Sequence, residues 1–134
     1  MKILAFVDMH GSMSALKSIR KKAKNADIIV CAGDFTIFEQ GIEHIMDELD
    51  KLKKEVLIIH GNHEDDDLMR EICLKHKNIF FLHNNHFIQD DVLFLGWGGG
   101  GFSEKDNSFE KREKRFKEII KKHKEKAIVL VTHA

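Results

Sequence analysis

The 134-residue chain contains no proline and no tyrosine, only two cysteines, and no surplus of either charge. Nothing else in the sequence accounts for the missing proline. Cys31 and Cys73 lie far apart and form no Cys-x-x-Cys pair, which excludes a thiolate metal cluster and a redox dithiol. Each sits in an apolar segment and reads as a small buried residue, a usage that fits a reducing cytoplasm. A chain of this size buries about two-thirds of the surface its unfolded form exposes, so a single domain needs no disulfide staple. Lys+Arg and Asp+Glu number 22 each, and that balance excludes a general field that would draw in nucleic acid. No apolar run approaches the roughly 20 residues of a membrane span. The N-terminal stretch from Met1 to Val7 reaches Asp8 too soon for that, or for a signal peptide. A dinucleotide fold is excluded because Asp8-x-His10 stands where Gly-x-Gly-x-x-Gly should be. A serine hydrolase is excluded for want of Gly-x-Ser-x-Gly. The run from Gly96 to Gly101 is followed by no Lys-Ser/Thr pair, so it is not a phosphate loop. It reads as a flexible loop near a site, with Trp97 packed beside it.

What remains is a regular alternation. Ile3–Val7, Asp27–Cys31 and Val56–Ile59 are apolar runs too short for helices, and they predict buried parallel strands, the first covered on both faces. Ser12 or Ser14 opens a helix to about Lys24, with Leu16, Ile19 and Ala23 on one stripe. A second helix covers about Phe38 to Lys53 through Ile42, Ile45, Met46, Leu49 and Leu52. Gly41 inside it costs about 1 kcal/mol against alanine, and His44 falls on its solvated side. Asp65-Asp66-Asp67 suits the positive end of a third helix, where Leu68, Met69 and Ile72 pack inward. From Ile79 the pattern changes to a short strand. His86–Gln89 and Val92–Leu95 then flank Asp90-Asp91 as a two-residue hairpin. Asn107 and Glu110 can form a capping box for a helix reaching about Lys124, with Phe109, Phe116, Ile119 and Ile120 on its apolar side. Ala127–Val131 predicts a last buried strand. The expected architecture is α/β, one domain over residues 1–134.

The polar clusters all close strands. Asp8-x-His10, Gly33-Asp34, Gly61-Asn62-His63-Glu64 and Thr132-His133 each follow an apolar run, and open α/β sheets build their sites at the carboxyl ends of strands. Oxygen and imidazole donors without thiolate suit Mn, Fe or Zn better than Ca or a soft metal. Two such cations about 3.5–4 Å apart clamp a phosphate and lower the pKa of a bound water from about 15.7 to about 7, which makes hydroxide available for in-line attack on phosphorus. His63 can protonate the leaving oxygen, with Glu64 or Asp65 holding its ring. His60 reads as a strand residue facing away.

Taken together and in this order, these motifs resemble the calcineurin-like metallophosphoesterase superfamily, along nearly the whole chain. The resemblance implies two facing mixed β-sheets flanked by helices, an αββα sandwich. It implies Asp8 and His10 on a first metal, Asp34 bridging, Asn62 and His133 on a second, and His63 as a catalytic histidine off the metals, with Asn62 and His63 touching substrate. The implied cofactor is two divalent ions, Mn foremost, with Fe, Zn or Ni as alternatives. The implied activity is hydrolysis of a small phosphodiester or phosphomonoester, with no membrane or nucleic-acid partner. The family pattern ends with a Gly-His-x-His motif that these residues lack. The expectation is therefore a C-terminally incomplete fold, part of a longer protein, with weakened metal affinity and an open sheet edge that favours self-association. Two other readings are a non-catalytic scaffold of the same fold, as in the retromer subunit, and a nuclease of the superfamily. Retention of His63 counts against the first, and neutral charge against the second. Substrate choice would fall to the loops Thr36–Gln40 and Gly98–Ser103.

Overall fold

Seven strands and four helices follow one another along a computed structural model that describes residues 1–100 and 107–133. The order is β1 (Ile3–Phe6), α1 (Met13–Ala23), β2 (Ile28–Ala32), α2 (Ile42–Asp50), β3 (Val56–Ile59), α3 (Asp66–Cys73), β4 (Ile79–Phe81), β5 (Asn85–Gln89), β6 (Val92–Trp97), α4 (Asn107–Lys122) and β7 (Ala127–Thr132). Strands β1-β2-β3-β4 form one sheet and β5-β6-β7 another. The first sheet is parallel throughout. The mixing expected of both sheets lies in the second, where β5 runs antiparallel to β6 and β7 runs parallel to it.

Period-two alternation sorts the central strands into two layers. Ile29 and Cys31 of β2, with Val56 and Ile58 of β3, join Leu16, Ile19, Ile45, Met46, Leu49, Met69 and Ile72 in one core under α1–α3. Their neighbours Ile28, Val30, Leu57 and Ile59 point the other way and meet Phe94 and Val131 of the second sheet. On the far side Leu93, Leu95 and Trp97 pack on Phe116 of α4, with Ile119 and Ile120 beside it. The layers are thus helices, sheet, sheet, helix, the predicted sandwich. No helix among the described residues is long and apolar enough to cross a membrane.

Several local expectations hold. The Ser12 hydroxyl accepts the Ala15 amide and caps α1, and Asp65 caps α3 through the Leu68 amide. Asp90 and Asp91 join β5 to β6, with Gln89 paired to Val92 and Asp90 at φ 51°. Both cysteines are buried. Burial pushes the Cys73 thiol up to about 12 and raises that of Cys31 further, so neither is a thiolate nucleophile.

Others need correction. Helix α2 begins at Ile42, not Phe38: Phe38 and Glu39 sit at φ 44° and 65°, and Gly41 is the N-cap at φ 68°. The glycine, placed inside the helix by periodicity, ends the loop instead. Strand β1 was expected to be covered on both faces, yet it lies at an end of its sheet, with Ile3 41 % exposed. Strand β7 was expected to be buried, but Ile128 and Leu130 are 45 % and 52 % exposed. An apolar run reports a tendency to be buried, not how many neighbours the strand acquires. Gly96 and Trp97 belong to β6 rather than to a loop, and Trp97 is 9 % exposed against Phe116. The Asn107–Glu110 capping box, the packing of Phe109, the stretch Gly101–Ser103 and Ala134 lie outside the described residues.

Candidate metal centre

Parallel pairing brings the carboxyl ends of β1, β2 and β3 to one edge, and β7 delivers a fourth from the second sheet. The loops there are stitched together by main-chain bonds. Asp8 N donates to Gly33 O (3.2 Å), His10 N to Asp34 O (3.0 Å) and Gly11 N to Phe35 O (2.9 Å). Glycine is required where two loops touch: a Cβ on Gly33 would meet the Gly61 backbone at 2.7 Å, and one on Gly61 would collide with the Asp34 carboxylate. Asp8, His10 and Asp34 themselves adopt φ values of 52°, 46° and 50°. Left-handed backbone in non-glycine residues costs energy and clusters at functional sites. Here all three lie in the candidate ligand set.

Two groups of donor atoms result. His10, Asp34 and His63 place ligand atoms within 4.8 Å of one another, and so do Asp8, Asp34 and His133. Asp34, 5 % exposed, belongs to both. Its Oδ2 lies 3.5 Å from His133 Nε2 and 4.0 Å from His63 Nε2, while His10 Nε2 lies 4.0 Å from Asp8 Oδ1. His133 Nδ1 is 2.8 Å from the Ala32 carbonyl. As donor in that bond it leaves Nε2 with a free electron pair turned toward Asp34, the tautomer a cation needs. These residues therefore fit a divalent metal by donor type, by tautomer and by convergence.

The structure thus brings Asp8, His10, Asp34, His63 and His133 together. Asn62 is exposed on the same loop as His63 and lines a cavity of about 320 Å³ with Phe38, Glu39, His63, Glu64 and Asp65. A roomier cavity, about 710 Å³, lies between α1 and α2 and is lined by none of the site residues. The His63 ring packs edge-on against His10 at 5.1 Å and nearly parallel to Phe38 at 4.6 Å.

Glu64 and Asp65 do not hold that ring, contrary to expectation, because both are engaged elsewhere, and His63 Nδ1 is buried with no hydrogen-bond partner among the described residues. Asp65 caps α3. Glu64, 6 % exposed, accepts from Asp34 N (3.0 Å), Thr36 N (2.9 Å), Thr36 Oγ1 (2.7 Å) and Gly61 N (2.9 Å). One buried carboxylate thereby locks the loop carrying Asp34 to the loop carrying Asn62 and His63. Its place after the histidine hints at a site role, but nothing in sequence says that its partners are backbone amides. Glu64→Ala leaves four donors without their acceptor. At about 1–3 kcal/mol for each buried group left unpaired, and with water recovering part, unfolding stability should fall by about 3 kcal/mol or more. Denaturant titration checks this, and a loss below about 1 kcal/mol would remove the clamp.

His60 lies just past the end of β3 and, as expected, faces away from both donor groups. It is 9 % exposed, its Nδ1 lies 3.0 Å from Gly61 O, and its ring packs 4.6 Å from His83. His60, Asp66 and His83 form a further trio within 4.8 Å. However, His83 Nδ1 accepts the Gly98 amide (2.8 Å), which leaves Nε2 protonated in the neutral ring and unsuited to a cation.

A family model described as calcineurin-like phosphoesterase matches residues 1–134. The uncharacterised protein MJ1162 of Methanocaldococcus jannaschii is 30 % identical over 140 residues, which take in all of this chain and 61 % of that protein. The crystal structure of TT1561 from Thermus thermophilus superposes with a TM-score of 0.75 at 18 % identity, covering 96 % of this chain and 65 % of the other. A second solved structure gives a TM-score of 0.72 at 15 % identity, over 96 % of this chain and 67 % of its own. At such identities the likeness is one of fold. The chain thus spans less than two-thirds of the length of MJ1162 and of TT1561.

Proposed function

The chain belongs to the calcineurin-like phosphoesterase family, and from that premise we propose that the full-length protein hydrolyses a small phosphodiester or phosphomonoester with the aid of two divalent cations, manganese foremost. Asp8 and His10 would hold one ion, Asn62 and His133 the other, and Asp34 would contribute to both. The observation that carries the bridging role is the membership of Asp34 in both donor groups. Those groups set Asp8 with His133 and His10 with His63, so the pairing of Asp8 with His10 on one ion follows the family pattern and their 4.0 Å approach. Bound cations of this kind supply Lewis acidity at phosphoryl oxygens and a water acidic enough to ionise near neutral pH.

The rest is the work of the chain's own side chains. Asn62, exposed beside the cluster, offers its amide to a phosphoryl oxygen. His63 sits between His10 and Phe38 with Nε2 turned to the same centre, where a protonated ring can hydrogen-bond the ester oxygen and donate its proton as the P–O bond breaks. Glu64 keeps the two loops in register, so that the developing charge meets donors already in place. In the scaffold reading no step would require His63.

The test is a panel of bis-p-nitrophenyl phosphate, p-nitrophenyl phosphate and alkyl phosphate esters, assayed on full-length protein with Mn²⁺, after chelation, and after Mn²⁺ is restored. Turnover is expected with the metal, is lost on chelation and returns on readdition. Protein that binds Mn²⁺ and hydrolyses nothing in the panel would favour the scaffold.

A further inference from the structure

We infer that Phe38 is the specificity-determining residue of this site, an aromatic platform that selects phosphoesters whose leaving group is planar and uncharged. The inference rests on the phosphoesterase reading and adds to it the class of substrate. Phe38 is 72 % exposed, an unusual position for a phenyl ring, and it is held there at a cost, with φ at 44° followed by Glu39 at 65°. The loop does not drift into that conformation. Thr36 is fully buried, with its hydroxyl on Glu64 (2.7 Å) and accepting Glu39 N (3.2 Å), while Glu39 Oε1 accepts Asp65 N (2.8 Å). With Thr36 N also donating to Glu64 (2.9 Å), the Phe38 loop is tied to the Asn62–His63 loop at three points.

One face of the Phe38 ring lies on His63, at 4.6 Å between centroids and 21° between planes. Most of the rest of the side chain is open to solvent. The cavity it lines with Glu39, Asn62, His63, Glu64 and Asp65 is about 320 Å³, room for one ring system rather than a polymer. A leaving group whose oxygen takes the His63 proton must lie beside that imidazole, and a flat one can stack on the exposed part of Phe38. The Glu39 and Asp65 carboxylates at the same cavity oppose a second negative charge on the departing group.

The test uses binding of non-hydrolysable probes, so it does not depend on turnover. Phenylphosphonate and methylphosphonate are titrated by calorimetry into full-length Mn²⁺-loaded protein, wild type, Phe38→Ala and Phe38→Tyr. Wild type should bind the phenyl probe about threefold to tenfold more tightly than the methyl probe, the range an aromatic pair contributes. Phe38→Ala should bring the ratio close to one, and Phe38→Tyr should restore it. If wild type binds methylphosphonate with no phenyl preference, the platform is refuted and the phosphoesterase reading stands. Loss of affinity for both probes by the same factor in Phe38→Ala also refutes it, since Phe38 would then only support His63. If neither probe binds to wild type, the metal-centre reading itself fails and takes this inference with it.

Discussion

Asp34→Asn should abolish metal-dependent turnover and lower Mn²⁺ affinity by about 100-fold or more, since loss of a residue that merely supports a ligand already costs about 10–100-fold. The expectation is severe because Asp34 is the residue shared by both donor groups, so one substitution weakens both ion sites. It should do so without unfolding the protein. Asp34 Oδ1 accepts the His63 amide (3.0 Å), and asparagine can keep an oxygen there. The Asp34 amide still reaches Glu64, whatever the side chain. What changes is charge: a neutral amide offers a cation less than a carboxylate does. Metal analysis after gel filtration, with thermal unfolding as control, checks both halves. A variant that retains two tightly held ions would show that Asp34 is not their link.

His63→Ala should lower kcat by about 10²–10⁴-fold, the usual contribution of a placed general acid, with metal content unchanged. The loss should depend on the leaving group. A p-nitrophenolate departs without a proton, whereas an alkoxide does not, so alkyl esters should suffer far more than p-nitrophenyl esters. That contrast separates proton donation from a loss of shape. It also separates proton donation from ligation, a distinction that matters because a His63 ring nitrogen lies in the His10–Asp34 group. If Mn²⁺ content falls in His63→Ala and all esters lose activity equally, His63 is a metal ligand and the proton comes from elsewhere.

The order of strands and helices was legible because this fold is built from units whose signals are local. Val56–Ile59 is a run of four β-branched and aliphatic residues bounded by Glu55 and His60, and it is the observed strand to the residue. The capping of α1 by Ser12 and of α3 by Asp65 was readable for the same reason. The ends of strands could be read as a site because four polar clusters each close a buried aliphatic run, and α/β sheets build their sites at the carboxyl ends of strands. Features that depend on distant partners were not legible. Ile3 and Leu130 look as apolar as Ile29 and Leu57, but only the latter have strands on both sides. The start of α2 was misplaced because helical spacing continues through Phe38, while the backbone there is left-handed. Glu64 seemed a partner for its neighbour His63. It is instead a buried acceptor for amides 30 and 28 residues away, a role that no local pattern announces. That His60 turns away from the site was legible, but strand alternation does not reveal that Gly98 and Gly99 close over it.

The central claim is that side chains from four strand ends converge on a pair of cations held in common by Asp34. Anomalous scattering from Mn²⁺-soaked crystals of the full-length protein measures this directly. Two peaks should appear, each touching the Asp34 carboxylate, one beside Asp8 and His10 and the other beside Asn62 and His133. A single peak, or peaks away from Asp34, would contradict the account.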